Sequence, residues 1–178
     1  MGQSDKEVEL KIPLSNKKEI EKTLQMLGAI FISEVKQIDY LFNPPDSHFS
    51  QTSEAFRLRH EVSEDLEKAF LTYKGSATFS KIGHKIREEY EVEVSNFSTM
   101  KNILEHLHFN VELLVEKVRR TYHLGDIVVA VDSLPFGDFI ELEGEANKSQ
   151  VLRKKLGLGN IEAIKKTYYD LQKEENKI

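Results

Sequence analysis

The chain has 178 residues, of which 39% are hydrophobic and 31% charged, with no cysteine and a formal charge of −5. That length suits one domain over residues 1–178 with a proper core. The missing cysteine excludes a disulfide framework and a thiolate zinc site. The acidic balance disfavours a long nucleic-acid duplex as partner. No apolar run is long enough to span a bilayer, and the polar start Met1 to Lys6 has no secretory pattern, so the expected location is the cytoplasm.

Two kinds of segment alternate along the chain. Glu7 to Ile12 alternates charged with apolar and stops at Pro13. Ser15 reads as an N-cap for a helix carrying Ile20, Leu24 and Leu27, with Gly28 as its stop. Ile30 to Phe42 reads as extended chain, broken by Asn43-Pro44-Pro45-Asp46. Ala55–Glu61 and Lys68–Lys74 pair as a hairpin. Gly75 to Gly83 reads as a mobile loop, and Lys85–Val94 as a long strand. Ser98 caps a helix through Leu107. Val111–Tyr122, Ile127–Val131 and Phe139–Glu145 are further strands. Lys148–Leu156 is a helix stopped by Gly157, and Ile161–Lys173 is the last helix. About eight strands with helices outside predict an α+β architecture, a closed antiparallel β-barrel.

Side chains two apart on a strand share a face. Glu7, Glu9 and Lys11 therefore share one. So do Arg57 and Arg59; Thr72 and Lys74; Arg87, Glu89 and Glu91; Lys117, Arg119 and Thr121; and Glu141 and Glu143 with Phe139. The opposite faces are largely apolar. An ordinary half-wet sheet would look similar, but these faces are built from Arg, Lys and Glu, with few of the neutral polar residues of a solvated surface. The signs are also sorted by strand. If the faces turn inward, charge is buried, which is costly unless it is paired or used to bind something. A triphosphate complexed with a divalent metal requires both signs. Arginine forks suit phosphate oxygens, and Mg²⁺ or Mn²⁺ prefers carboxylate oxygen.

The order of these residues is specific. Glu7-Val8-Glu9-Leu10-Lys11 matches the ExExK signature of the CYTH superfamily, also called triphosphate tunnel enzymes. Further blocks follow in the family's order. They are Gln37-Ile38-Asp39, Arg57-Leu58-Arg59, Leu71-Thr72-Tyr73-Lys74-Gly75 and Lys85-Ile86-Arg87-Glu88-Glu89-Tyr90-Glu91, then Glu116-Lys117-Val118-Arg119, Asp132 with Gly137 to Glu143, and a final Thr167-Tyr168. The chain resembles that family along almost its whole length.

The resemblance implies an eight-stranded tunnel and a Mg²⁺- or Mn²⁺-dependent enzyme acting on a triphosphate-containing small molecule. It implies metal ligation by Glu7, Glu9, Glu89, Glu91, Asp132, Glu141 and Glu143. Phosphate binding falls to Arg57, Arg59, Lys74, Arg87, Lys117 and Arg119, and Lys11 and Glu9 stand at the reaction centre. A lysine that activates water would need a lowered pKa. Related cyclases are dimers, so the resemblance also suggests a homodimer. Two departures are Leu41, where the family often has Tyr, and a turn, Leu134-Pro135-Phe136-Gly137, with a single glycine. The preferred reading is a triphosphatase acting on inorganic, nucleoside or thiamine triphosphate. The alternatives are a class IV adenylate cyclase releasing cyclic AMP and pyrophosphate, and a non-catalytic phosphate-binding module. No P-loop, histidine metal spacing or serine elbow competes with these readings.

Overall fold

The computed structural model describes residues 5–64 and 66–176. In chain order the elements are β1 (Asp5–Leu14), α1 (Lys17–Met26), β2 (Ile30–Asn43), β3 (Ala55–Val62) and β4 (Glu67–Lys74). They continue with β5 (Thr78–Phe79), β6 (Lys85–Val94), α2 (Phe97–His106), β7 (Asn110–Leu124), β8 (Ile127–Leu134), β9 (Gly137–Glu143), α3 (Ala146–Lys155) and α4 (Tyr168–Glu175). Hydrogen-bonded neighbours run β1-β9-β8-β7-β2-β3-β4-β6-β5, and β1 also pairs with β6. The eight long strands thus form a closed antiparallel β-barrel, as the alternating pattern predicts. No helix of the described residues is long and apolar enough to cross a membrane.

The chain divides into two compact units. One is built chiefly from Val35–Thr78 and Arg87–Glu116, the other from Glu7–Glu34, Phe79–Ile86 and the chain from Lys117 onward. In the first, Phe42, Leu58 and Leu104 form a buried cluster ringed by Tyr40, Phe56, Leu71 and Phe97. Here α2 packs on β3 and β4. Tyr90 and Val92, on the apolar face of β6, stay exposed. In the second, Leu10, Ile12, Val129, Val131, Ile140 and Leu142 meet Ile20 and Leu24 of α1 and Leu152 of α3. The apolar strand faces therefore carry the helices, leaving the charged faces on the other side.

Several boundaries differ from the sequence reading. The caps of α1 and α2 are Asn16 and Asn96, whose side chains accept from Glu19 and Thr99 backbone N–H groups, not Ser15 and Ser98. Asparagine caps at least as well as serine, and both sites offer the two residues close together. Strand β1 continues through Pro13, which pairs with Phe139. The expected mobile loop at 75–83 contains β5 and is tied by Ser80 N–H to the His84 carbonyl and by His84 N–H to Ser80 Oγ.

The last helix begins at Tyr168, not Ile161, because Thr167 and Asp170 form a reciprocal capping box. Before it, Ile164 N–H donates to the Lys11 carbonyl at 2.8 Å, and Arg153 holds the Leu158 and Ile161 carbonyls. These tertiary bonds replace the helical ones.

His84 is fully buried, and neither ring nitrogen has a hydrogen-bond partner. Burial, with Arg153 nearby, pushes its pKa below the ordinary value. A base depressed in the fold is protonated more readily when unfolded, so its contribution to stability is present above the unfolded pKa and lost as pH falls. The denaturation midpoint of the native chain should therefore drop between about pH 7.5 and pH 5.5. A His84→Leu chain should show a smaller drop in the same urea titrations, and an equal drop in both chains would rule the residue out as the cause.

Candidate active site

In the second unit the charged face is made by β1, β7, β8 and β9. Register sets Lys11 opposite Glu141, Arg119 opposite Asp132, and Ala130 between Thr121 and Glu141. Ala130 is small, which leaves space for the Arg119 guanidinium to pass diagonally over β8 to Glu141. Asp132 has 0% exposure. Its Oδ1 accepts from Arg119 Nε at 2.7 Å. Its Oδ2 accepts from Lys117 Nζ at 3.0 Å, a second Arg119 nitrogen at 2.5 Å and the Tyr168 hydroxyl at 2.9 Å. Lys11 Nζ lies 3.6 Å from Glu9 and 3.2 Å from Glu141. The Tyr168 ring carries two ammonium groups, Lys11 at 4.0 Å and Lys117 at 4.7 Å from its centroid. Such a contact is worth about 2 kcal/mol when desolvated.

Electrostatics follow from this crowding. Burial alone would push the Glu141 carboxyl up, but Arg119, Lys11 and Lys117 hold it well below the ordinary range. Burial likewise opposes ionisation of Asp132, and Arg119 and Lys117 outweigh it. Burial pulls the Lys11 ammonium down, yet Glu141 and Glu9 leave its pKa raised. Lys11 is therefore held as a cation, not primed as a base. Burial and the carboxylates Glu141 and Asp132 hold the Tyr168 hydroxyl as a neutral donor.

In the first unit the charged face is made by β2, β3, β4 and β6. Asp39 faces Arg59, Arg57 faces Thr72, Thr72 faces Glu91, and Lys74 faces Glu89. Arg59 grips Asp39 with two bonds, at 2.6 and 2.9 Å. Arg57 reaches Asp39 at 3.6 Å, Glu91 at 3.3 Å and Thr72 Oγ1 at 3.2 Å. Lys74 pairs with Glu89 at 2.9 Å. Asp39, Arg59, Lys74 and Arg87 are the buried charged residues described for this unit. The Arg57 side chain is 13% exposed, and its Nε is buried without a hydrogen bond. Burial and then Arg59 lower its pKa despite Asp39. Arg57 is thus held less favourably as a cation than a free guanidinium, although Asp39 and Glu91 lie within ion-pair distance.

The structure thus places the predicted residues on two charged faces. Glu9, Lys11, Lys117, Arg119, Asp132 and Glu141 come together in the second unit, and Arg57, Arg59, Lys74, Glu89 and Glu91 lie along neighbouring strands of the first. Arg87 is buried, Glu7 is partly buried and Glu143 is exposed. Among the described residues no three histidine or carboxylate side chains are grouped to hold a metal ion. Sequence reasoning missed the roles of Asp39 and Tyr168 in holding these cations. Asp39 was findable from period two on β2, but Tyr168 enters from a helix distant in sequence and left no such signal.

The CYTH domain family model matches residues 5–170. A Methanocaldococcus jannaschii protein named as a candidate adenylate cyclase is 33% identical over 177 residues, covering 93% of this chain and 98% of its own. The chain belongs to the CYTH domain family. A solved Pyrococcus horikoshii protein is 28% identical, with a TM-score of 0.80 over 95% of this chain and 99% of its own. A Hippeastrum protein, described as an adenylyl cyclase candidate with a dominant triphosphatase activity, is 17% identical and shares the fold. Its TM-score is 0.70 over 95% of this chain and 96% of its own.

Asp132→Asn removes the counter-charge of buried Lys117. Breaking a buried pair from one side costs about 3–5 kcal/mol. Guanidinium unfolding should show that loss, and an unchanged midpoint would mean that the pair carries no net stabilisation.

Proposed function

We propose that the chain is a divalent-metal-dependent enzyme that hydrolyses a triphosphate, with water attacking the terminal phosphorus in line. The observation that carries this reading is Arg57 on β3, a largely buried guanidinium whose Nε has no hydrogen-bond partner and whose pKa burial and Arg59 lower. Buried positive charge of this kind gains most from an anion with several oxygens. Phosphoryl transfer needs little covalent help from the protein, so positioning and charge neutralisation supply the catalysis.

The carboxylates of the second unit would suit a metal ion. Glu9 and Glu141 both reach the Lys11 ammonium, at 3.6 and 3.2 Å, so the two carboxylates lie close enough to share one cation. Mg²⁺ characteristically takes one or two carboxylates and completes its shell with substrate phosphates and water. Two carboxylates, rather than a cage of three, suit an ion that arrives with the triphosphate. In this reading Glu9 and Glu141 would hold the Mg²⁺ or Mn²⁺, with Glu7 and Glu143 as further carboxylates on the same strand faces and Glu89 and Glu91 as carboxylates of β6. The bound ion would neutralise phosphate charge and template the attack.

The remaining roles belong to the chain itself. Arg57, Arg59, Lys74, Arg87, Lys117 and Arg119 bind phosphate oxygens. Lys11, held cationic, stabilises charge developing on the transferred group. Asp132, with both oxygens engaged by donors, acts through the cations it holds. A second reading, cyclisation of ATP with release of pyrophosphate, is favoured by the name of the 33%-identical relative. It would use the same residues.

Product analysis separates the readings. With Mg²⁺ or Mn²⁺, incubation with inorganic triphosphate, thiamine triphosphate or ATP should release orthophosphate. Cyclic AMP with pyrophosphate from ATP would make it a cyclase, and tight chelator-insensitive binding without turnover would make it a binding module. Glu9→Gln should abolish metal-dependent turnover while the circular dichroism spectrum is kept, and full activity would remove Glu9 from the centre. Arg57→Ala tests phosphate binding more cleanly than a change at Arg59, which also holds Asp39. It should weaken substrate binding by about 1.5–3 kcal/mol, seen as a raised KM, and an unchanged KM and kcat would count against it.

A further inference from the structure

Lys11 is bound from three directions by one short stretch of chain. Its backbone carbonyl accepts the Ile164 N–H at 2.8 Å, its ammonium makes a long contact of 3.5 Å to the Lys166 carbonyl, and the same ammonium lies over the Tyr168 ring. Tyr168 is buried at the start of α4, where the Thr167–Asp170 capping box fixes the helix entry. Its ring also takes Lys117, its edge packs on Phe139 at 5.3 Å between centroids, and its hydroxyl ends on Asp132. One side chain therefore touches two cations and the carboxylate that holds one of them.

We propose that Tyr168 is a positioning residue of the active centre, its ring setting the Lys11 and Lys117 ammonium groups for phosphate, so that segment 164–168 completes the site. The inference rests on the triphosphate reading above. An aromatic face suits this task for a physical reason. It attracts ammonium through its quadrupole while carrying no net charge. A carboxylate in the same place would hold the lysines equally well but would repel an incoming triphosphate and cancel the charge that binds it. A leucine would fill the volume and leave Lys11 and Lys117 to be oriented by their carboxylate partners without the ring.

The test compares Tyr168→Phe, which keeps the ring and loses the hydroxyl bond to Asp132, with Tyr168→Leu, which loses both. Turnover is measured per folded protein on the triphosphate that the native chain hydrolyses fastest. Tyr168→Phe should keep kcat within about threefold, and Tyr168→Leu should lose roughly ten- to a hundredfold in kcat with KM changed by less than about fivefold. A purely structural role would lower the melting temperature of both and leave kcat per folded molecule alone; that result, or an equal loss in the two variants, would overturn the proposal.

A readout independent of activity is the proton NMR of the lysine ε-methylene groups in the native chain. Ring current over Tyr168 should move those of Lys11 and Lys117 upfield, and ordinary shifts would sink the positioning claim even if Tyr168→Leu fails to fold. Upfield shifts in a chain with no triphosphate turnover would instead uphold the positioning and defeat the functional reading beneath it.

Discussion

A charge placed on a strand face that water does not reach must be answered by the neighbouring strand, and the structure depends on that constraint. Asp132 shows it most fully: a carboxylate with no exposed surface, met by Lys117, Arg119 and Tyr168. Removing two charges from water costs several kcal/mol each unless geometry and hydrogen bonding repay it. Here repayment needs the correct register. A slip of one residue between β7 and β8 would carry Asp132 to the apolar face and leave two cations behind. The ion pairs and the apolar packing of Val129, Val131, Ile140 and Leu142 therefore select the same register, one from each side of the sheet.

Much of this was legible because strand periodicity is strict. Alternation in Glu7 to Ile12, Arg57 to Arg59 and Phe139 to Glu145 assigned faces before any pairing was known, and Leu10, Leu58, Ile140 and Leu142 are fully buried opposite those charges. Sorting of sign by strand was visible too. What it meant was not, because the partner of a charge depends on which strand lies beside it. Arg59 finds Asp39 on β2, Lys74 finds Glu89 on β6, and Lys11 finds Glu141 on β9, near the opposite end of the chain.

Helix starts were blurred where two capping residues lay close together. The start of α4 was misplaced because apolar spacing over Ile161 and Ile164 imitates a helix, while tertiary bonds to Lys11 and from Arg153 hold that segment in irregular, non-helical chain. The role of Tyr168 was hidden for a similar reason: inside the expected 161–173 helix an aromatic residue reads as ordinary core.

The two charged faces differ in a way that bears on chemistry. On β7, β8 and β9 the cations are matched so closely that Arg119 is held far above its ordinary pKa and Glu141 far below its own. On β3, Arg57 is pulled the other way, by burial and by Arg59 beside it. A matched set is stable by itself, whereas a cation held below its ordinary pKa carries an unfavourable energy that an anionic ligand would relieve. On the triphosphate reading, the fold would keep its register through the first and reserve binding energy for phosphate in the second. Lys11 sits on the matched side, so its proton stays in place. On the triphosphate reading, the rate enhancement would then come from fixed positive charge and orientation, which is the kind of catalysis that phosphoryl transfer rewards.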